Sequence, residues 1–186
     1  MSGRSGIEIV RLVALFAALG ALAFCSRPRP GPLVAGALLV AAGEAIRVWA
    51  AGHLRKTVRL VTSGPYRYTR NPLYLGRLVI FSGIALMAWL PYGLNLAVLA
   101  AGWALFFGYY LPRKERIEPA RLAQAHGAAY DAYRSSVPAI LPRLKPWAGA
   151  SQAPWGWDNF VRNREGLTLV GLLLLVALFA ARAAPR

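Results

Sequence analysis

The chain of 186 residues has the length of one soluble domain, but its composition is not that of a soluble domain. Hydrophobic residues make up 57% and charged residues only 16%, where a soluble chain carries about 25% charged residues. The mean hydropathy is +0.43, and 22 Lys and Arg against 7 Asp and Glu give a net charge of +15, so the chain is basic and apolar together.

Five stretches have the length and apolarity of membrane spans, which need about 20 mostly apolar residues. These stretches are residues 7–25, 32–52, 73–89, 92–111 and 166–181. Glu8 and Arg11 interrupt the first stretch, so we interpret it as a span and not as a cleavable signal peptide. The predicted fold is an all-α integral membrane protein, a single membrane domain over residues 1–186 with about five transmembrane helices.

Basic residues fall mainly in two connections between spans. Five lie between the second and third spans and nine between the fourth and fifth, against two in the proline-rich turn after the first. The positive-inside rule places both connections and the N-terminus in the cytoplasm. The cytoplasmic segment 112–165 is predicted to hold a helix over Glu115–Arg134, then tryptophans in the headgroup layer. Abundant Ala and an excess of Arg over Lys favour a bacterial inner membrane.

The segment 63–76 combines turn signals with polar and aromatic side chains. Residues 64–65, Gly-Pro, predict a turn, and residues 71–72, Asn-Pro, begin a helix whose free N–H groups suit an anion. Side chains able to contact a ligand are Tyr66, Arg70, Asn71 and Tyr74. An interfacial belt of aromatic and arginine residues would explain these residue types but not the turns, so the pattern favours a ligand site.

Other charged residues are weaker candidates. Glu44 and Arg47 lie three apart on the second span and can pair on one face, which leaves a packing role or a functional role open. Glu115 and Glu118 can face one cavity, and carboxylates suit a ribose diol, but we interpret Glu115 as balancing neighbouring arginines. His53, after the second span, is a candidate base or an interfacial residue. No Cys and His spacing predicts a metal site.

Two blocks of sequence, separated by a two-span hairpin, carry a resemblance to a known family. The first block is Gly64-Pro65-Tyr66 … Arg70-Asn71-Pro72-Leu73-Tyr74-Leu75-Gly76. The second block is Glu118-Pro119-Ala120-Arg121-Leu122 … His126-Gly127 … Tyr130 … Tyr133 … Val137-Pro138 … Leu141-Pro142. Together they resemble a superfamily of membrane methyltransferases that includes isoprenylcysteine carboxyl methyltransferases and phospholipid N-methyltransferases. The resemblance covers residues 45–142.

The resemblance implies S-adenosylmethionine as cofactor, held in a cytosol-facing pocket between the helices. It also implies a lipophilic acceptor that enters from the membrane lipids: an isoprenylcysteine-like carboxylate, a phospholipid amine or another hydrophobic small molecule. Arg70 and Glu118 are the implied catalytic residues. The candidate cofactor-binding residues are Tyr66, Arg70, Asn71, Pro72, Tyr74, Gly76 and Glu118, with Arg47 and His53 added from the second span.

Two departures from the family pattern leave alternatives open. Asn71 stands where His is common, and Glu118 is followed by Pro119 where a second glutamate is common. A degenerate, non-catalytic member is therefore one alternative, and an NADPH-dependent reductase of the sterol-reductase type is another. The chain lacks Gly-x-Gly-x-x-Gly, which excludes a Rossmann-type methyltransferase. Because the basic residues flank spans, nucleic acid is not an expected partner.

Overall fold

A computed structural model describes residues 10, 20–22, 24–55 and 60–183, and every regular element within them is helical. The α-helices are, in chain order, α1 Pro30–His53, α2 Pro72–Ala88, α3 Leu94–Leu105, α4 Leu111–His126, α5 Ala128–Ser136, α6 Trp157–Arg162 and α7 Glu165–Ala183. Two 3-10 turns, Gly64–Arg67 and Pro91–Gly93, precede α2 and α3. The predicted all-α class is confirmed for these residues, whereas most of the predicted span 7–25 lies outside them.

Among the residues that the structure describes, three helices are long and apolar enough to cross a membrane: Pro30–His53, Pro91–His126 and Glu165–Ala183. The second of these is a rod in which a π-helical stretch, Phe106–Tyr110, joins α3 to α4. Its 36 residues rise about 54 Å, more than the ~30 Å of a bilayer core, so the charged half of α4 extends beyond the apolar part. Helix α2 is apolar but has only 17 residues. Within the described residues, three helices are therefore candidates for membrane spans, and the predicted count of about five stays a prediction.

Helices α1 and α2 form the centre of the fold and approach each other through glycine. A Cβ atom at Gly76 would lie 2.7 Å from the carbonyl oxygen of Gly43, and one at Gly83 would lie 2.5 Å from that of Gly36. The two glycines of each helix are seven residues apart, about two helical turns, so they lie on the same face of that helix. Small residues at such positions allow backbones in a membrane bundle to pack closely.

The predicted helix over Glu115–Arg134 is wrong at one position. Helix α4 ends at His126 and α5 begins at Ala128, because Gly127 has φ +51° and ψ −133°. Only glycine adopts this conformation without a large steric penalty. The break turns α5 back, and its residues Tyr130 and Tyr133 form a buried cluster with Val137.

The proline-rich stretch after α5 packs against the rest of the chain. Its backbone N–H groups at Arg143 and Trp147 donate to the carbonyl groups of Tyr68 and Arg67, each at 3.0 Å. The Trp155 indole N–H donates to the Val48 carbonyl at 3.0 Å. The rings of Trp147 and Trp155 thus contact protein groups, and a position in the headgroup layer stays a prediction for this stretch.

Candidate functional site

A cavity of about 430 Å³ lies between the 64–67 turn, the beginning of α2, α4 and α5. Small-molecule sites generally measure about 300–1,000 Å³. The first sequence block contributes Tyr66, Arg70, Asn71, Leu73 and Tyr74 to its wall, and the second contributes Glu118, Pro119, Arg121, Leu122, Tyr130 and Tyr133. Further charged and polar lining residues are Arg55, Arg77, Lys114, Glu115, Asn163 and Glu165. Folding thus brings both blocks around one cavity.

Glu115 joins the first block to α4. The guanidinium Nη2 of Arg70 lies 2.8 Å from Glu115 Oε2, and Asn71 Nδ2 donates to Glu115 Oε1 at 3.2 Å. Arg70 Nε also donates to the Val137 carbonyl at 3.0 Å, and Asn71 Nδ2 to that of Ala139 at 2.9 Å. The interpretation of Glu115 as a local charge balance on its own helix is wrong, because its partners come from the turn before α2.

Lys114 is a cavity residue that the sequence reasoning did not select. Its ammonium pairs with Glu118 one turn along α4 and donates to the Asn71 amide oxygen. It also lies 4.8 Å from the centre of the Tyr74 ring. Lys114 follows the apolar part of the rod, and burial, reinforced by nearby Arg70 and opposed by Glu115, lowers its pKa to about 8. A cation with a reduced pKa therefore lies between a carboxylate and an aromatic face.

Tyrosines provide the other surfaces of the cavity. Tyr74 packs against Tyr110 with ring centres 5.5 Å apart, and the Arg77 guanidinium lies 5.2 Å from the centre of the Tyr74 ring. Tyr133 donates its hydroxyl to the Tyr66 carbonyl at 2.8 Å. Burial raises the pKa of both the Tyr66 and the Tyr133 hydroxyl, so both remain protonated at physiological pH. The wall thus combines aromatic faces with neutral phenols.

Glu165, the first residue of α7, lines the cavity with a carboxylate, although it belongs to neither of the two sequence blocks. It forms a buried ion pair with Arg47, whose Nε lies 3.3 Å from Glu44 Oε2. The predicted pairing of Glu44 with Arg47 is confirmed. Two buried carboxylates therefore share one guanidinium, and neither oxygen of Glu44 accepts a hydrogen bond in the described structure.

Four residues of the predicted set lie outside the cavity lining: Arg47, His53, Pro72 and Gly76. His53 Nδ1 lies 3.0 Å from Ser63 Oγ, which places the ring against the 64–67 turn. Pro72 is buried in the first turn of α2, and Gly76 faces Gly43. Each holds neighbouring elements together, and a direct role in cofactor binding stays a prediction for all four.

Comparison with known proteins relates part of the sequence to a family. The sequence model of the family described as phospholipid methyltransferase matches residues 32–111. The cobalt-zinc-cadmium resistance protein CzcN of Cupriavidus metallidurans is 34% identical over 150 residues, which are 79% of this chain and 66% of that protein. The nickel-cobalt-cadmium resistance protein NccN of Alcaligenes xylosoxydans xylosoxydans is 31% identical over 147 residues, which are 77% of this chain and 66% of that protein.

The chain thus spans just under two thirds of the length of each of these relatives. No solved structure matches it. The family match covers α1, α2, α3 and the π-helical stretch, and it contains the whole first block. Helix α4, which begins at the end of that match, and α5 supply the second block to the same cavity. Over residues 32–111 the chain matches the phospholipid methyltransferase family, which lies within the isoprenylcysteine and phospholipid methyltransferase superfamily.

Proposed function

We propose that the chain is an S-adenosylmethionine-dependent methyltransferase that acts on a lipophilic acceptor at the cytoplasmic face of the bacterial inner membrane. The main support is the meeting of both sequence blocks around one cavity, at the end of the apolar part of the rod. The cavity therefore lies where a water-soluble cofactor and a membrane-bound acceptor can both arrive.

The cavity wall fits the chemical groups of this cofactor. S-Adenosylmethionine carries a carboxylate, an ammonium, a sulfonium and a ribose diol, and the wall offers charges of both signs beside aromatic faces. Arg70, with the N–H groups that Glu115 and Val137 leave free, and the N–H of Leu73 would hold the carboxylate. Glu118 would hold the ammonium or the ribose.

Methyl transfer from this cofactor needs little general acid or base catalysis. S-Adenosylmethionine supplies an electrophilic methyl group, and the acceptor forms a bond to the methyl carbon while the C–S electron pair returns to sulfur. The wall contributes orientation and exclusion of water. A carboxylate or thiolate acceptor is already nucleophilic, whereas an amine first loses its proton. A carboxylate acceptor would therefore need no base from this chain.

The names of CzcN and NccN connect those proteins with resistance to divalent metals. Three carboxylates line the cavity, and each is already paired with a basic side chain, so the lining offers no unpaired carboxylate to a metal ion such as Zn²⁺ or Co²⁺. Across the described ranges, no three His, Cys, Asp or Glu side chains come together as metal ligands. We attribute any contribution of this chain to metal tolerance to its methylated product.

Calorimetric titration of the purified protein in neutral detergent tests the proposal. S-Adenosylmethionine and S-adenosylhomocysteine should bind, and NADPH should not. Incubation of the protein and membrane lipids with methyl-labelled S-adenosylmethionine should transfer label into the organic phase. Binding of NADPH alone would replace the proposal with a reductase. Binding of none of the three would favour a non-catalytic member of the family, in which Pro119 has replaced a needed carboxylate.

A further inference from the structure

A second cleft, of about 360 Å³, adjoins the cavity. Four residues line both spaces and form the wall between them: Tyr74, Lys114, Glu118 and Arg121. Three residues line only the second cleft: Tyr110, Arg113 and Ile117. Two separate compartments with a shared wall suit a reaction between two substrates, one on either side.

The second cleft opens beside the apolar part of the rod. Tyr110 ends the π-helical stretch and packs against Phe106 one turn earlier, with ring centres 6.2 Å apart. The side chain of Ile117 is 61% exposed and that of Tyr110 is 43% exposed. These apolar surfaces continue the membrane-facing side of the rod, so an acyl chain in the bilayer can follow them into the cleft.

The charges of the cleft favour an anionic ligand. Lys114 and Glu118 neutralise each other, which leaves Arg113 and Arg121. In the part of the chain that the structure describes, neither arginine has a carboxylate partner. Arg113 donates only to the Tyr109 hydroxyl, at 3.1 Å, and a guanidinium has five N–H groups, so most of its donors are free for a ligand.

We propose that the second cleft is a lipid site and that it binds a phospholipid whose headgroup has a net negative charge. Arg113 and Arg121 contact the headgroup, and Tyr110 and Ile117 contact the beginning of an acyl chain. The lipid site rests on the cleft alone; a lipid held there is also a methyl acceptor only under the proposed methyltransferase function, and only where its headgroup carries a carboxylate or an amine. A lipid with a cationic headgroup fits poorly, because two uncompensated arginines repel it.

Competition between two lipids tests the site without any methyl donor. The detergent-purified chain is equilibrated with an equimolar mixture of phosphatidylglycerol and phosphatidylcholine, and native mass spectrometry counts the lipids that stay bound. The wild type should retain phosphatidylglycerol at least fivefold over phosphatidylcholine. Arg113→Gln removes a headgroup contact and Ile117→Asp places a negative charge in the cleft, so each should reduce that ratio at least threefold.

Arg116→Gln is the matched control, because Arg116 lies on the same helix, is exposed and lines neither space. It should keep the wild-type ratio. An equal loss in Arg116→Gln, or no preference in the wild type, would overturn the site and leave only diffuse surface charge.

Titration of the same proteins with S-adenosylhomocysteine separates this proposal from the proposed function. Lipid preference without nucleotide binding retains the lipid site and rejects the methyltransferase. Nucleotide binding without lipid preference rejects the lipid site alone.

Discussion

The guanidinium of Arg70 lies 2.8 Å from the carboxylate of Glu115, so the turn before α2 is fastened to α4 in the wall of the cavity. The same side chain also bonds the Val137 carbonyl. Arg70 therefore supports the cavity and, with its remaining N–H groups, can receive a ligand carboxylate. A substitution here should affect both ligand affinity and the joining of the two sequence blocks.

Replacing Arg70 with alanine should weaken binding of S-adenosylhomocysteine about tenfold or more. Hydrogen bonds to charged groups contribute about 1.5–3 kcal/mol, and 1.4 kcal/mol corresponds to a factor of ten. Isothermal titration calorimetry measures the loss. Arg67→Ala is the matched control, because Arg67 lies three residues before Arg70 but bonds exposed Gln152 outside the cavity. Equal affinities in wild type and Arg70→Ala would show that the carboxylate binds elsewhere.

Binding of phosphatidylglycerol should depend on the protonation of Lys114, whose pKa burial lowers to about 8. Lys114 loses its charge as the pH rises through this value, which leaves its partner Glu118 uncompensated in the cleft, where the carboxylate repels the lipid phosphate. Affinity should therefore fall between pH 7 and pH 9, by at most about tenfold per pH unit. Lys114→Arg keeps its charge over this range, so its affinity should stay constant. Parallel pH profiles for the two proteins would rule out Lys114 as the titrating group.

Removing Arg47 should destabilise the protein more than removing either of its carboxylate partners. Arg47→Met leaves Glu44 and Glu165 buried without a cation, and breaking a buried ion pair costs about 3–5 kcal/mol. Glu44→Gln and Glu165→Gln each leave a one-to-one pair, so their losses should be clearly smaller. Denaturant titration in micelles, followed by circular dichroism, gives the order.

Arg182→Met serves as the control for the Arg47 series. Arg182 is an exposed arginine on α7, and among the described residues its hydrogen bonds go to the backbone carbonyls of Phe24 and Ser26. Its replacement should change the free energy of unfolding least. If Glu165→Gln were as damaging as Arg47→Met, the shared guanidinium would not be the source of the stability.

Alanine at Gly76 should separate α1 from α2. Its Cβ atom would lie 2.6 Å from Arg47 Cγ and 2.7 Å from the Gly43 carbonyl oxygen, distances that require the helices to move apart. Overpacking of this kind costs about 1–3 kcal/mol. Gly171→Ala in α7 meets no atom within 4 Å and should be neutral or slightly stabilising, since alanine favours helix. A stable Gly76→Ala variant would contradict the close approach.

The sequence predicted the apolar helices α1 and α7, which are candidates for membrane spans, because apolar runs are local signals. It also predicted that Arg70, Asn71 and Glu118 line one site, although this came from a resemblance between blocks and not from helix geometry. The break at Gly127 was missed because a glycine inside a helical pattern does not reveal its φ angle in advance.

The contributions of Glu165 and Lys114 could not be predicted. Glu165 lies 118 residues from Arg47 and starts a helix without any motif, so only tertiary packing reveals their contact. Lys114 belongs to a run of basic residues that indicated only the cytoplasmic side of the membrane. Its contacts with Glu118, Asn71 and Tyr74 depend on which side of α4 faces the cavity. Sequence periodicity ranks the faces of a helix, but it does not identify a distant partner.

The ion pair between Glu165 and Arg47 links the last helix to ligand affinity. Glu165 lines the cavity and also anchors α7 to α1, so a ligand that attracts this carboxylate changes how firmly the two helices are joined. The linkage is reciprocal: a partner protein or lipid that shifts α7 in the membrane must change the affinity of the cavity by the same factor. Helix α7 carries neither sequence block, yet through this one residue it can regulate the site.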